Sequence, residues 1–188
     1  MPDGPGFERP VSNDMLTVPN VITFARLCAV PVAVWLVLRQ DFAMAFWLFV
    51  AAGISDGLDG WLARRSGPTL VGTVLDPVAD KALLVSMYVT LAAVRVLPDW
   101  LAILVVFRDV VIVGGVLVLG VMGQSVTIRP LLISKLNTFL QLALVAVVLL
   151  LSAFDRSWPW LSTTLIWAVA ASTLASGGAY LWKGVRGQ

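Results

Sequence analysis

Six stretches of roughly twenty mostly apolar residues follow one another along this chain, separated by short polar connections. That is the length an α-helix needs to cross the hydrocarbon core of a bilayer, about 30 Å at a rise of 1.5 Å per residue. The candidate spans cover 19–39, 42–64, 72–94, 97–122, 131–153 and 158–182. Connections such as Arg39-Gln40-Asp41, Leu97-Pro98-Asp99 and Asp155-Arg156-Ser157 force neighbouring helices to run antiparallel. The expected fold is therefore all-α, a polytopic membrane protein with six transmembrane helices in one bundle. Composition agrees, since 59% hydrophobic residues and a mean hydropathy of +0.92 lie far outside the range of soluble domains. The expected organisation is a cytoplasmic or interfacial segment over 1–18, a six-helix domain over 19–183 and a cytoplasmic tail over 184–188.

Charge and rare residues narrow the function. The 13 Lys+Arg against 11 Asp+Glu leave a net charge of only +2, which gives no reason to expect a nucleic-acid partner. With no histidine and one cysteine, disulfides, imidazole or thiolate metal sites and His-dependent triads are excluded, and Cys28 is expected to pack as a small hydrophobe in the first span. The segment MPDGPGFERPVSNDMLTV lacks the pattern of a cleaved signal peptide and is expected to be retained. Placing Arg64, Arg65, Arg129, Lys135, Lys183 and Arg186 at cytoplasmic ends puts both termini inside, with Arg39, Arg95 and Arg156 marking the other face. Trp100, Trp158, Trp160 and Trp182 near span ends suit interfacial belts. Trp35, Trp47, Trp61 and Trp167 suit lipid-facing or packed positions.

Against this background the segment SDGLDGWLARRSGPTLVGTVLDPVADK, residues 55 to 81, is anomalous because it holds four aspartates. Helical spacing puts Asp56, Asp59, Gly60 and Ala63 on one face of the second span, and Gly72, Asp76 and Asp80 on one face of the third. The short loop between the spans brings the two sets to similar depths. Each buried aspartate costs about 3 kcal/mol near the bilayer centre, so four require compensation by something cationic. Arg64, Lys81 and Arg108 supply part of it. A facing set of oxygen ligands without His or Cys is also what Mg²⁺ or Mn²⁺ prefers, and two divalent cations would relieve the repulsion while supplying Lewis-acid chemistry. Other readings stand beside this one: an ion-paired structural cluster, small residues Gly53, Gly57 and Gly60 serving close helix packing, or a small transporter or channel with an acidic ion site. No symmetric pair of broken helices supports the transporter.

The pattern D-x-x-D-G-x-x-A-R followed by G-x-x-x-D-x-x-x-D, present as Asp56, Asp59, Gly60, Ala63, Arg64, Gly72, Asp76 and Asp80, resembles the signature of the CDP-alcohol phosphotransferases. That resemblance implies a six-span membrane enzyme that moves a phosphoalcohol from a CDP-linked donor to an acceptor hydroxyl and releases CMP. It implies that Asp56, Asp59, Asp76 and Asp80 bind two metals and that Asp80 is also the general base. Gly60 and Ala63 would let the nucleotide approach, and Arg64, Thr69, Asn20 and Thr23 would contact the CDP donor; Asn20 and Thr23 also suit helix entry and capping. One departure is that Arg65 to Val71 gives seven residues before Gly72 where the family usually has eight.

Within that family, TVPNVITFARLCAVPV, LDPVADK, LPDWLAILVVFRDVVIVGGV and RPLLISKLNTFLQLALVAV look most like the CMP-forming cardiolipin synthases. The implied donor is CDP-diacylglycerol and the implied acceptor phosphatidylglycerol; the alternative is a phosphatidylglycerolphosphate synthase using glycerol 3-phosphate. Arg108, Arg129 and Lys135 suit either acceptor phosphate, while Arg108 with Asp109 equally suits a buried structural pair. The implied setting is a bacterial inner membrane with a cytoplasmic active site, and a homodimer is compatible with it.

Overall fold

The computed structural model describes the backbone of residues 18–66, 70–121, 132–156 and 158–186, with side chains over 23–55, 79, 81–112, 114, 133–156 and 158–179. It is all-helical across these residues, with six helices: α1 (Val18–Leu38), α2 (Phe42–Ser66), α3 (Leu70–Ala93), α4 (Asp99–Val121), α5 (Leu132–Ala153) and α6 (Pro159–Arg186). The helices match the six apolar stretches, and α6 continues to Arg186. Ile133–Ala153 is long and apolar enough, by length and composition, to cross a membrane, and Thr23–Leu38, Phe42–Ser55 and Lys81–Ala93 are shorter apolar stretches.

Three hairpins are closed in the same way. After α1 the amide of Gln40 donates to the Val37 carbonyl and that of Asp41 to Leu36; after α3, Arg95 donates to Ala92 and Val96 to Leu91; after α5, Asp155 donates to Ser152 and Arg156 to Leu151. This is the paired hydrogen-bond pattern that satisfies the last carbonyls of a helix, and it requires a left-handed residue at the turn. Gln40, Arg95 and Asp155 occupy that position with φ of 61°, 63° and 47°. The next helix starts at once. Asp41 accepts a bond from the Met44 amide at 3.3 Å as an N-cap, and Pro159 opens α6, where a missing N–H costs nothing.

Helix packing follows a ring: α1 against α2, α2 against α5, α5 against α6, α6 against α4, α4 against α3 and α3 back against α1, with α3 also touching α5 across the middle. Burial divides this ring along its length. Toward the hairpin turns it is filled by apolar side chains, among them Val37, Phe49, Met87, Leu91, Leu101, Val105, Leu144, Leu149 and Val169. Toward the other end the buried side chains turn polar: Thr23 and Arg26 of α1, Arg108 and Asp109 of α4, Asn137 and Gln141 of α5, Thr173 and Ser176 of α6.

The expectation for Cys28 is corrected, because it lies exposed on α1. The inward stripe of that helix runs through Thr23, Arg26, Ala33 and Val37 at heptad-like spacing, and position 28 falls off it. Trp35, Trp47, Trp100, Trp158, Trp160 and Trp167 are all exposed, as belt or lipid-facing positions require. The side chains of Trp61 and Trp182 lie outside the described residues.

Candidate active site

The motif residues fall in the polar half of the ring. Asp56, Asp59, Gly60, Ala63 and Arg64 lie on the last turns of α2, and Gly72, Asp76 and Asp80 on the first turns of α3. Measured inward from the ends that residues 67–69 join, Asp56 and Asp80 are both about 15 Å deep and Asp59 and Asp76 both about 10 Å, at 1.5 Å per residue. Helices α2 and α3 also share two neighbours, α1 and α5. The backbone thus brings two pairs of aspartates to matched depths on helices that flank a common space. Their side chains, with those of Gly60, Ala63, Arg64 and Asn20, lie outside the described residues, as do Thr69 and Arg129 altogether.

Asn20 and Thr23 lie one turn apart near the start of α1, which packs against both α2 and α3. Thr23 is fully buried. One turn further, Arg26 is 4% exposed, a position that sequence reasoning passed over although an arginine in an apolar helix is itself the signal.

A second cluster sits beside the aspartates. Lys81, the residue after Asp80, donates from Nζ to Asp109 Oδ2 at 2.6 Å, and Arg108 Nη1 donates to Asp109 Oδ1 at 2.7 Å. Arg108 Nη2 donates to Ser134 Oγ at 2.9 Å and to Ser176 Oγ at 2.6 Å. The cluster joins α3, α4, α5 and α6 at one level. Arg108 and Asp109 are buried, while the Lys81 side chain retains 38% exposure. Arg108 Nε is buried without a hydrogen-bond partner among the described residues. The structural pairing expected of Arg108 and Asp109 is present, and the guanidinium still keeps an unused donor.

Below this level lie two further polar layers. Asn137 Oδ1 accepts from Ser172 at 2.8 Å and Thr173 at 2.9 Å, and one turn deeper Tyr88 donates to the Gln141 carbonyl at 3.2 Å. The Gln141 side-chain amide is buried with no partner among the described residues. Lys135, in contrast, is exposed beside Ser134, Thr138, Phe139 and Leu142, where they line an open groove on the outer side of α5.

The chemistry of the donor set fits hard divalent cations: four carboxylates at matched depths, with no nitrogen or sulfur ligand in the motif. Among the residues whose side chains are described, no other group of three or more His, Cys, Asp or Glu could hold a metal.

The family model for CDP-alcohol phosphatidyltransferase matches residues 16–175, so it spans α1 to α5 and most of α6. The chain belongs to the CDP-alcohol phosphatidyltransferase family. Relatives of the chain fall into both expected branches. It is 32% identical over 92% of its length to a cardiolipin synthase (CMP-forming)/mitochondrial hydrolase fusion protein of Schizosaccharomyces pombe, covering 32% of that protein. It is 35% identical over 88% of its length to a chloroplastic CDP-diacylglycerol–glycerol-3-phosphate 3-phosphatidyltransferase of Oryza sativa, covering 56% of it. With the corresponding enzyme of Bacillus subtilis it is 29% identical over 90% of its length and 95% of the relative's. The chain therefore spans from a third to just over half of the first two relatives, and nearly all of the third.

Proposed function

We propose that the chain transfers a phosphatidyl group from CDP-diacylglycerol to an alcohol with release of CMP, and that the alcohol is phosphatidylglycerol, giving cardiolipin. The observation that carries this reading is the placement of the eight-residue motif at matched depths on α2 and α3, in the polar half of the ring. The acceptor assignment draws on the S. pombe relative, whose name states cardiolipin synthesis. Glycerol 3-phosphate is the second reading, favoured by the names of the rice and B. subtilis relatives.

Asp56, Asp59, Asp76 and Asp80 hold two divalent cations, Mg²⁺ or Mn²⁺. When bound, these supply charge stabilisation for the diphosphate and the departing CMP. Gly60 and Ala63 keep the α2 surface low for the nucleotide, and Arg64, Thr69, Asn20 and Thr23 orient it. Asp80 takes the proton from the acceptor hydroxyl as its oxygen attacks the lipid-linked phosphorus. Lys81 and Arg108 bind the acceptor's phosphate.

The six helices, each of 21 to 28 residues, are long enough to span a bilayer, and we read them as six transmembrane segments forming one domain over 19–183. The tight hairpin turns face outward, while the aspartates and both termini face the cytoplasm of a bacterial inner membrane. A homodimer is compatible with this arrangement.

The deciding experiment gives purified protein CDP-diacylglycerol with phosphatidylglycerol or glycerol 3-phosphate and identifies the lipid product. Cardiolipin and CMP are expected. Far better use of glycerol 3-phosphate would replace the acceptor assignment, and no CMP with either would overturn the proposed transfer by this chain.

A further inference from the structure

The basic cluster contains a carboxylate that a simple phosphate-binding site would not need. Asp109 is buried and divides its two oxygens between two cations, Oδ2 accepting from Lys81 and Oδ1 from Arg108. Lys81, Arg108 and Asp109 together carry a single positive charge. Ser134 and Ser176 further occupy Arg108 Nη2 with neutral acceptors. What remains is the buried Nε of Arg108, without a partner among the described residues, and the exposed part of the Lys81 ammonium, which has three donors.

A buried donor without a partner is costly, so one that persists calls for a ligand or a water. Its neighbourhood indicates which ligand. Lys81 directly follows Asp80, so their Cα atoms lie about 3.8 Å apart. An acceptor phosphate held by Lys81 and Arg108 would therefore lie at the level of Asp80 along α3. Charge then discriminates between the two acceptors. A phosphodiester has one negative charge and two terminal oxygens, which the residual single positive charge and the remaining donors match. A phosphomonoester has three terminal oxygens and about −1.5 to −2 charge at pH 7, and would stay undercompensated in a poorly solvated site that already holds a carboxylate.

We propose that Asp109 is the specificity-determining residue of the acceptor site: by cancelling one of the two cations beside Asp80, it sets the site to a monoanionic phosphodiester over a dianionic phosphomonoester. The proposal rests on the phosphatidylglycerol reading above.

The test measures kcat/KM for phosphatidylglycerol and for glycerol 3-phosphate, with CDP-diacylglycerol as donor, on the full chain in detergent. In Asp109→Asn the ratio should move toward glycerol 3-phosphate by tenfold or more, and in Asp109→Glu it should stay within about threefold of wild type. A ratio that stays put while both activities fall together would reduce Asp109 to a strut and overturn the proposal. If Asp109→Asn does not fold, Lys81→Gln removes a cation and leaves the carboxylate. The KM for phosphatidylglycerol should then rise tenfold or more while that for CDP-diacylglycerol is unchanged; an unchanged KM for phosphatidylglycerol, or an equal rise in both, would overturn it. Wild-type protein that ignores phosphatidylglycerol would sink the acceptor reading first. Wild-type protein that uses it, with an unmoved ratio in the variants, sinks this proposal alone.

Discussion

Lys81 of α3 and Asp109 of α4 meet at 2.6 Å, and through Asp109 the residue next to Asp80 is tied to an arginine that also holds α5 and α6. Four helices are thereby fixed relative to one another at the level of the motif aspartates. Such a network is costly to break, because removing one partner leaves a buried charge under-solvated.

Ser176→Ala should accordingly destabilise the protein by about 1.5–3 kcal/mol, the worth of a hydrogen bond to a charged group. Thermal unfolding in detergent should show a drop of several degrees relative to wild type. Thr163→Ala, on the exposed side of α6, should change stability by no more than about 0.5 kcal/mol and serves as the control.

Metal removal should abolish turnover, and Mg²⁺ or Mn²⁺ should restore it. Asp56→Asn and Asp76→Asn should lose metal binding, read by calorimetry, while keeping wild-type helicity. Full turnover in strong chelator would reject the two-cation reading.

Asp80 is expected to do more than bind metal. Asp80→Asn retains its size and one oxygen, so metal and CDP-diacylglycerol should bind within about tenfold of wild type. Turnover should fall by roughly 10²-fold or more, the usual worth of a general base. Near-normal turnover would reject the role; joint loss of metal and donor binding would assign Asp80 to coordination alone.

The Gln141 amide, buried without a side-chain partner among the described residues, carries an uncompensated desolvation cost. Gln141→Leu should leave stability unchanged or raise it by about 1 kcal/mol. A large loss of stability would show that the amide has a partner in the folded protein.

At the hairpin end, Arg95 holds a left-handed conformation that glycine adopts without a Cβ clash. Arg95→Gly should stabilise by about 0.5–1 kcal/mol in the same thermal assay, with Arg95→Ala less stable than Arg95→Gly.

Much of this was legible along the chain because it depends on local periodicity. Apolar stretches of helical length located all six helices to within a few residues at each end, and spacings of three and four placed each aspartate set on one face of its own helix. The short 65–71 connection was enough to set Asp56 level with Asp80, since rise per residue converts sequence distance into depth. The position of Cys28 was misjudged because an evenly apolar helix does not reveal its inward stripe; only the packing of α1 against α2 and α3 selects it.

The sequence by itself thus determined the helices, their antiparallel order and the motif with the family it signals. Tertiary structure decided the ring order of the helices, the separation into an apolar half and a polar half, and the partners of Arg108. Asp109 is its neighbour in sequence, but Ser134 and Ser176 stand 26 and 68 residues away. Two serines among many carry no pattern in a one-dimensional reading. They become hydrogen-bond acceptors for a buried guanidinium only when α6 packs against α4 and brings α5, packed on its other side, within reach of the arginine, because a hydrogen bond needs its atoms within about 3 Å whatever their separation along the chain.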